Sequence, residues 1–191
     1  MDALLFEGET FEKIDYSETD ISNHEFLKCH FIACHFSKCD LSNIDFIDCT
    51  FTSCDLSLVN LDNATLDNIS FSKCKLVGIN FGAVNTLLFS VNFNLSHLDY
   101  SFFSNVKMKK TKFIDCTLKE VEFNHTDLTL ATFKNCDLIG STFVNTTLEK
   151  ADFRTSKNIS FDPDFNKMKK AKFSNQELAG LLTKYNLDIE Y

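Results

Sequence analysis

A large apolar residue recurs at every fifth position along most of the chain. The series runs Phe6, Phe11, Tyr16, Ile21, Phe26, Phe31, Phe36, Leu41, Phe46, Phe51, Leu56, Leu61, Leu66, Phe71, Leu76 and Phe81. After a slip of two residues it resumes at Leu88 and continues through Phe93, Leu98, Phe103, Met108, Phe113, Leu118, Phe123, Leu128, Phe133, Leu138, Phe143, Leu148 and Phe153. Two residues before each of these stands something small or β-branched, such as Ile14, Ile44, Val59, Ala64, Ile69, Ile79, Val121 or Ala151. The remaining three positions are mostly polar. A period of five fits neither the 3.6 of a helix nor the 2 of an ordinary strand. Two inward positions in five predict a short extended segment followed by a turn. Four such segments make a square coil, and coils stack at the strand spacing of about 4.8 Å. The expected fold is an all-β solenoid, a quadrilateral β-helix.

Side-chain size sharpens this picture. After residue 88 the central positions alternate between Phe and Leu or Met. In a four-sided coil that predicts Phe ladders on two opposite sides, Phe93, Phe113, Phe133 and Phe153 forming one of them, with aliphatic rows between. All eight cysteines (29, 34, 39, 49, 54, 74, 116 and 136) fall two residues before a central position. Cys34, Cys54 and Cys74 are spaced by 20 residues and predict an inward column. His30 and His35 follow such cysteines directly and therefore point outward, so "CHFIACHFSKC" cannot close around one metal. The thiols read as small buried hydrophobes, and parallel stacked side chains suit a disulfide poorly.

Composition agrees with a solenoid. The 191 residues hold 21 Phe but 1 Pro and 5 Gly. The N-terminus carries no signal-peptide pattern, and no apolar run approaches the roughly 18 residues of a membrane span. A cytoplasmic protein with reduced thiols is expected. The net charge of −8 argues against direct nucleic-acid binding, which needs Lys and Arg against phosphate, and favours a basic partner. No nucleophile elbow, phosphate loop or metal-ligand spacing occurs, so neither catalysis nor a cofactor is expected.

The clearest repeat units, "NIDFI" (43–47), "NCDLI" (135–139) and "KADFR" (150–154), resemble the pentapeptide-repeat family. That resemblance implies a right-handed quadrilateral β-helix over residues 1–155, with the register slip at 82–88. Residues 156–191 then supply a last partial coil, a C-terminal helix and a tail. In that segment Ser174 and Glu177 have the spacing of a capping box. Leu178, Leu181, Leu182 and Tyr185 fall on one face of an expected short α-helix. Asn186 is a stop, and Leu187, Ile189 and Tyr191 alternate as a short strand. The helix caps the open coil, and its leftover apolar surface suits a homodimer contact through Leu178, Leu181, Leu182, Tyr185, Leu187 and Ile189.

The stretch "FDPDFNKMKKAKFSNQELAGLLTKYNLDIEY" is similar to the C-terminal segment of the Qnr, MfpA and McbG branch of that family. The similarity implies a homodimer that binds DNA gyrase or topoisomerase IV as a DNA-like rod and lowers susceptibility to quinolones or gyrase toxins. The long projecting loops of some Qnr proteins are absent, the only break being "GAVNTLL" (82–88).

Charge is unevenly placed. Residues 1–87 hold fourteen acidic and five basic side chains. The expected partner-binding face comprises Asp15, Asp20, Glu25, Asp40, Asp45 and Asp55, with Asp20 under Asp40 and Glu25 under Asp45. Leu27, Ile32, Ile47, Phe89 and Phe102 fall at outward positions, and "KMKK" occurs at 107–110 and 167–170. The alternative function is a non-catalytic scaffold for an unrelated protein partner.

Overall fold

The structure, a computed structural model, describes residues 4–21 and 23–189. The chain winds into a four-sided parallel β-helix. Four three-residue strands, Leu5–Glu7, Glu25–Leu27, Asp45–Ile47 and Thr65–Asp67, stack in that order as one parallel sheet. A second, seven-stranded sheet runs from Thr10–Glu12 through His30–Ile32, Thr50–Thr52, Ile69–Ser72, Val91–Asn94 and Lys112–Ile114 to Thr132–Lys134. The remaining sides carry single parallel bridges, as in Asp15–His35–Asp55–Lys75. Partners are 20 residues apart, Phe31 above Phe11 and Phe51 above Phe31.

Each side turns at a residue two places past the central one, held in the left-handed region. Lys28, Ala33, Asp48 and Ser53 have φ of 54°, 53°, 55° and 57°. Glycine suits this conformation, and other residues adopt it at a cost of about 1–2 kcal/mol each. The corner amides offset that cost by bonding the coil above: Lys28 N–H to the Ile47 carbonyl at 2.9 Å and Ala33 N–H to that of Thr52 at 2.8 Å. The polar three-residue spacers of the sequence are these corners, and they explain how a glycine-poor chain turns so often.

The central side chains form the core. Phe93, Phe113, Phe133 and Phe153 are buried and stack with centroids 5.1, 4.7 and 4.5 Å apart. The opposite side carries Phe81, Phe103, Phe123 and Phe143, and its rings meet the first ladder edge-on, as Phe103 meets Phe113 at 6.1 Å and 87°. Edge-to-face crossings between two stacked rows are a favourable arrangement of ring quadrupoles.

The positions two before the centre hold a second inward row, and all eight cysteines lie there as free, buried thiols. These are not passive fillers. The Sγ of Cys34, Cys49, Cys54 and Cys74 lies 3.2–3.4 Å from the carbonyl oxygens of Phe11, Phe26, Phe31 and Phe51 in the coil below. Further along, Thr146 and Ser156 hydroxyls donate to the Phe123 and Phe133 carbonyls at 2.7 and 2.8 Å. The row selects a short donor, S–H or O–H, because its side chain must satisfy a buried carbonyl.

At the break, two expectations reverse. Phe89 is buried and Leu88 is 52% exposed, so Phe89, not Leu88, occupies the inward place. Val84 keeps its inward position, three extra residues loop out before Phe89, and one fewer than usual separates Phe89 from Val91. Asn85 and Ser90 fix this path. The Asn85 side chain caps the Leu87 amide at 3.2 Å, and Ser90 N–H bonds the Leu66 carbonyl at 2.9 Å.

The C-terminal segment is helical but wound as 3-10 turns, Asn175–Leu181 and Thr183–Tyr185, instead of an α-helix. The expected capping box is not made. Ser174 gives no side-chain cap, and Glu177 Oε2 instead accepts the Ile159 amide at 3.1 Å. Gly180 lies so close to the Ile159 carbonyl that a Cβ there would overlap it. Lys184 completes the attachment by bonding Asp162 at 2.7 Å and Asp164. Leu181 is the apolar residue that this packing buries. The expected strand alternation reaches Tyr191, which lies outside the described residues.

Candidate interaction surface

The six acidic residues singled out from the sequence fall in three columns on consecutive sides of the coil. Glu25 stands directly above Leu5 and below Asp45, which in turn lies below Thr65. Glu25 is exposed and Asp45 half-buried. Two carboxylates in register on neighbouring strands repel each other. Asp20 and Asp40 line one shallow depression with Glu18 and Lys38. Asp40 also accepts the Ser42 amide and the Asn60 side chain, each at 3.0 Å.

The third column is not uniformly acidic. His35 separates Asp15 from Asp55, and Lys75 follows on the far side, 3.7 Å from Asp55. The Ser17 amide and hydroxyl hold the Asp15 carboxyl below its ordinary range. Burial alone would raise Asp55, but the Ser57 hydroxyl and amide and the Lys75 charge outweigh it and keep the group low. Both stay ionised at neutral pH, in a ladder of alternating sign that the other two columns lack.

Around the C-terminus, Leu178, Leu182, Tyr185, Leu187 and Ile189 are all exposed, whereas Leu181 packs inward. Leu182, Leu187 and Ile189 line a shallow hollow with Ala179, Thr183 and Asn186. Lys184 lies 4.9 Å from the Tyr185 ring centre.

Other outward residues fall as their positions imply. Phe102 is 45% exposed in the column Asn80–Phe102–Glu122–Thr142, Leu27 pairs with Ile47, and Ile32 is exposed. His30 points out and meets the Thr50 hydroxyl at 2.8 Å. Burial pushes the Cys49 thiol up to about 11. Among the described residues no group of three or more His, Cys, Asp or Glu could hold a metal ion, and no helix is long and apolar enough to cross a membrane.

Sequence reasoning missed one surface feature. Leu87 is 88% exposed beside the half-exposed Leu88. Its signal was present in the two adjacent leucines at the break, but the five-residue count assigned one of them to the core.

A search of curated proteins finds no match. Among solved structures, the chain is similar to a trypsin-treated form of QnrB1, a plasmid-mediated fluoroquinolone resistance protein, at 23% identity over 98% of each chain with a TM-score of 0.47. It is also similar to HetL, a pentapeptide repeat protein involved in heterocyst differentiation regulation in the cyanobacterium Nostoc sp., at 14% identity over 88% of this chain and 84% of that one, with a TM-score of 0.41. The family model described as pentapeptide repeat region matches residues 24–103 and 106–182. With the five-residue period, the inward rows and the four-sided coil, that match places this chain in the pentapeptide-repeat family.

Proposed function

We propose that this chain is a non-catalytic binding protein whose acidic N-terminal half engages a basic groove of a type II topoisomerase, DNA gyrase or topoisomerase IV. Occupying a DNA-binding groove without being cut would lower the enzyme's susceptibility to quinolones or gyrase toxins. The observation that carries the reading is the in-register stack of Glu25 and Asp45. A fold gains nothing from opposed carboxylates on neighbouring strands, whereas a basic partner would relieve their repulsion. The exposed strip of Leu178, Leu182, Tyr185, Leu187 and Ile189 supports pairing of two rods through their C-terminal ends.

The test is a supercoiling assay with purified gyrase, titrating this protein with and without ciprofloxacin. Restored supercoiling in the drug's presence, or inhibition in its absence, is the expected result. Neutralising Glu25 and Asp45 should weaken either effect at least tenfold. No effect at micromolar protein overturns the topoisomerase reading.

A second reading, a scaffold for an unrelated protein, is favoured by the alternating column Asp15–His35–Asp55–Lys75, which does not imitate a phosphate backbone. It predicts no effect on gyrase and recovery of a different partner by affinity capture.

A further inference from the structure

One side of the coil divides into halves of opposite charge. Below the break it is the four-stranded sheet ending at Thr65–Asp67. Above the break the same side continues as the bridged column Lys107–Asp127–Thr147–Lys167. The lower half presents Glu7, Glu25, Asp45, Asp48 and Asp67 against Lys28, which is 3.3 Å from Glu7. The upper half presents Lys107, Lys109 and Lys110 in its first coil and Lys167, Lys169 and Lys170 in its last, with Lys150 between them. Its acids are Glu149 and Asp127, the latter paired with Lys109 at 3.3 Å. Where the two halves meet stand Leu87 and Leu88, and Leu87 is 88% exposed.

We propose that this side is an interface between two antiparallel copies of the chain, with the two-fold axis passing through Leu87 and Leu88. A two-fold operation places each height above the axis against the same height below it in the partner. At about 4.8 Å per coil, the four levels on either side span about 19 Å each, so the halves match in length. Lys107, Lys109 and Lys110 then meet Asp67 of the second copy. One coil further out, Leu130, 42% exposed, meets Ile47. Lys150 meets Glu25, and Lys167, Lys169 and Lys170 meet Glu7. The leucine pairs of the two copies meet at the centre, the place where apolar anchors contribute most to an interface. Opposed charge steers the rods into the antiparallel arrangement and disfavours the parallel one. This contact uses none of the C-terminal strip and does not depend on any topoisomerase.

Sedimentation velocity and small-angle scattering of the full chain test it. The expected species is a side-by-side pair hardly longer than one rod, with association at least tenfold weaker when salt is raised well above physiological strength. Leu87→Ser with Leu88→Ser should weaken pairing at least tenfold and leave thermal unfolding unchanged, since neither side chain is buried. Lys167→Glu, Lys169→Glu and Lys170→Glu together should do the same, and adding Glu7→Lys should restore part of the loss. Leu87→Cys should form an intermolecular disulfide on mild oxidation. Leu182→Asp with Leu187→Asp, which attacks the C-terminal strip, should leave the pair intact. A monomer at all concentrations overturns the proposal, as does a dimer about twice the rod's length or one indifferent to the Leu87 and Leu88 changes.

Discussion

The ring of Phe153 lies on that of Phe133 with centroids 4.5 Å apart and planes 8° from parallel. Phe133 stacks in turn on Phe113 at 4.7 Å and meets Phe123 edge-on at 5.8 Å, so one side chain ties three coils together. Phe133→Ala should cost about 3–5 kcal/mol, the usual range for emptying a buried aromatic site. Phe133→Leu should cost about 1–2 kcal/mol, because an aliphatic side chain keeps most of the burial and loses the ring contacts. Urea unfolding monitored by circular dichroism measures both.

The C-terminal segment should be detachable on its own. Gly180→Ala places a methyl into the Ile159 carbonyl, and backbone cannot yield as a flexible side chain can. Loss of the Glu177–Ile159 bond and exposure of Leu181 should follow. Amide exchange across residues 175–189 should accelerate at least tenfold in the variant, while amides of the Phe113 and Phe133 coils keep their rates.

Inward thiols should tolerate replacement by hydroxyl better than by methyl. Cys49→Ser keeps a donor for the Phe26 carbonyl, now 3.2 Å from sulfur, and should change stability by about 1 kcal/mol or less. Cys49→Ala leaves that carbonyl unmet and opens a void, and should cost about 1–3 kcal/mol. A thiol reagent should label none of the eight cysteines in the folded protein and all of them in guanidinium, because burial disfavours the reactive thiolate.

Acid should destabilise the coil through particular carboxylates. Arg154 bonds Asp152 at 3.0 and 2.8 Å and, together with Lys172, holds its carboxyl below the ordinary value despite partial burial. Asp137, Asp127 and Asp55 are low as well: burial alone would raise each, but hydrogen bonds and a lysine outweigh it. A depressed folded pKa means that the unfolded chain binds protons first. The stabilisation is therefore complete above the unfolded value of about 3.9 and is lost as pH falls through the folded values. The urea midpoint should decline below about pH 4, and Asp152→Asn should flatten that decline while lowering the midpoint at pH 7.

Most of the fold was legible because it is written one residue at a time. Phe31 and Phe51 declare their side and their neighbour by spacing alone, and Cys34 declares the second inward row. The break was less legible. Counting backward from Phe93 by five selects Leu88, while the structure uses Phe89, because Ser90 is held on the Leu66 carbonyl and on Asn68 and the preceding turn must bulge outward. The C-terminal cap was read from local helix rules, but Gly180 and Glu177 answer to Ile159 in the preceding coil. Surface charge was legible as composition along the chain. Which acid stands beside which base, as His35 does between Asp15 and Asp55, follows only when the coil is closed.

The corner amides have a further consequence for how such a chain grows. Lys28 bonds Ile47, Ser53 bonds Ser72, and Lys110 bonds Thr129: every step reaches the same short distance forward. Lengthening the rod therefore never lengthens the loop that must be closed to extend it, and the entropy of closure is the same for the last coil as for the second. A finished coil is a template that a nascent chain can copy onto as it emerges, one storey at a time, without waiting for its far end.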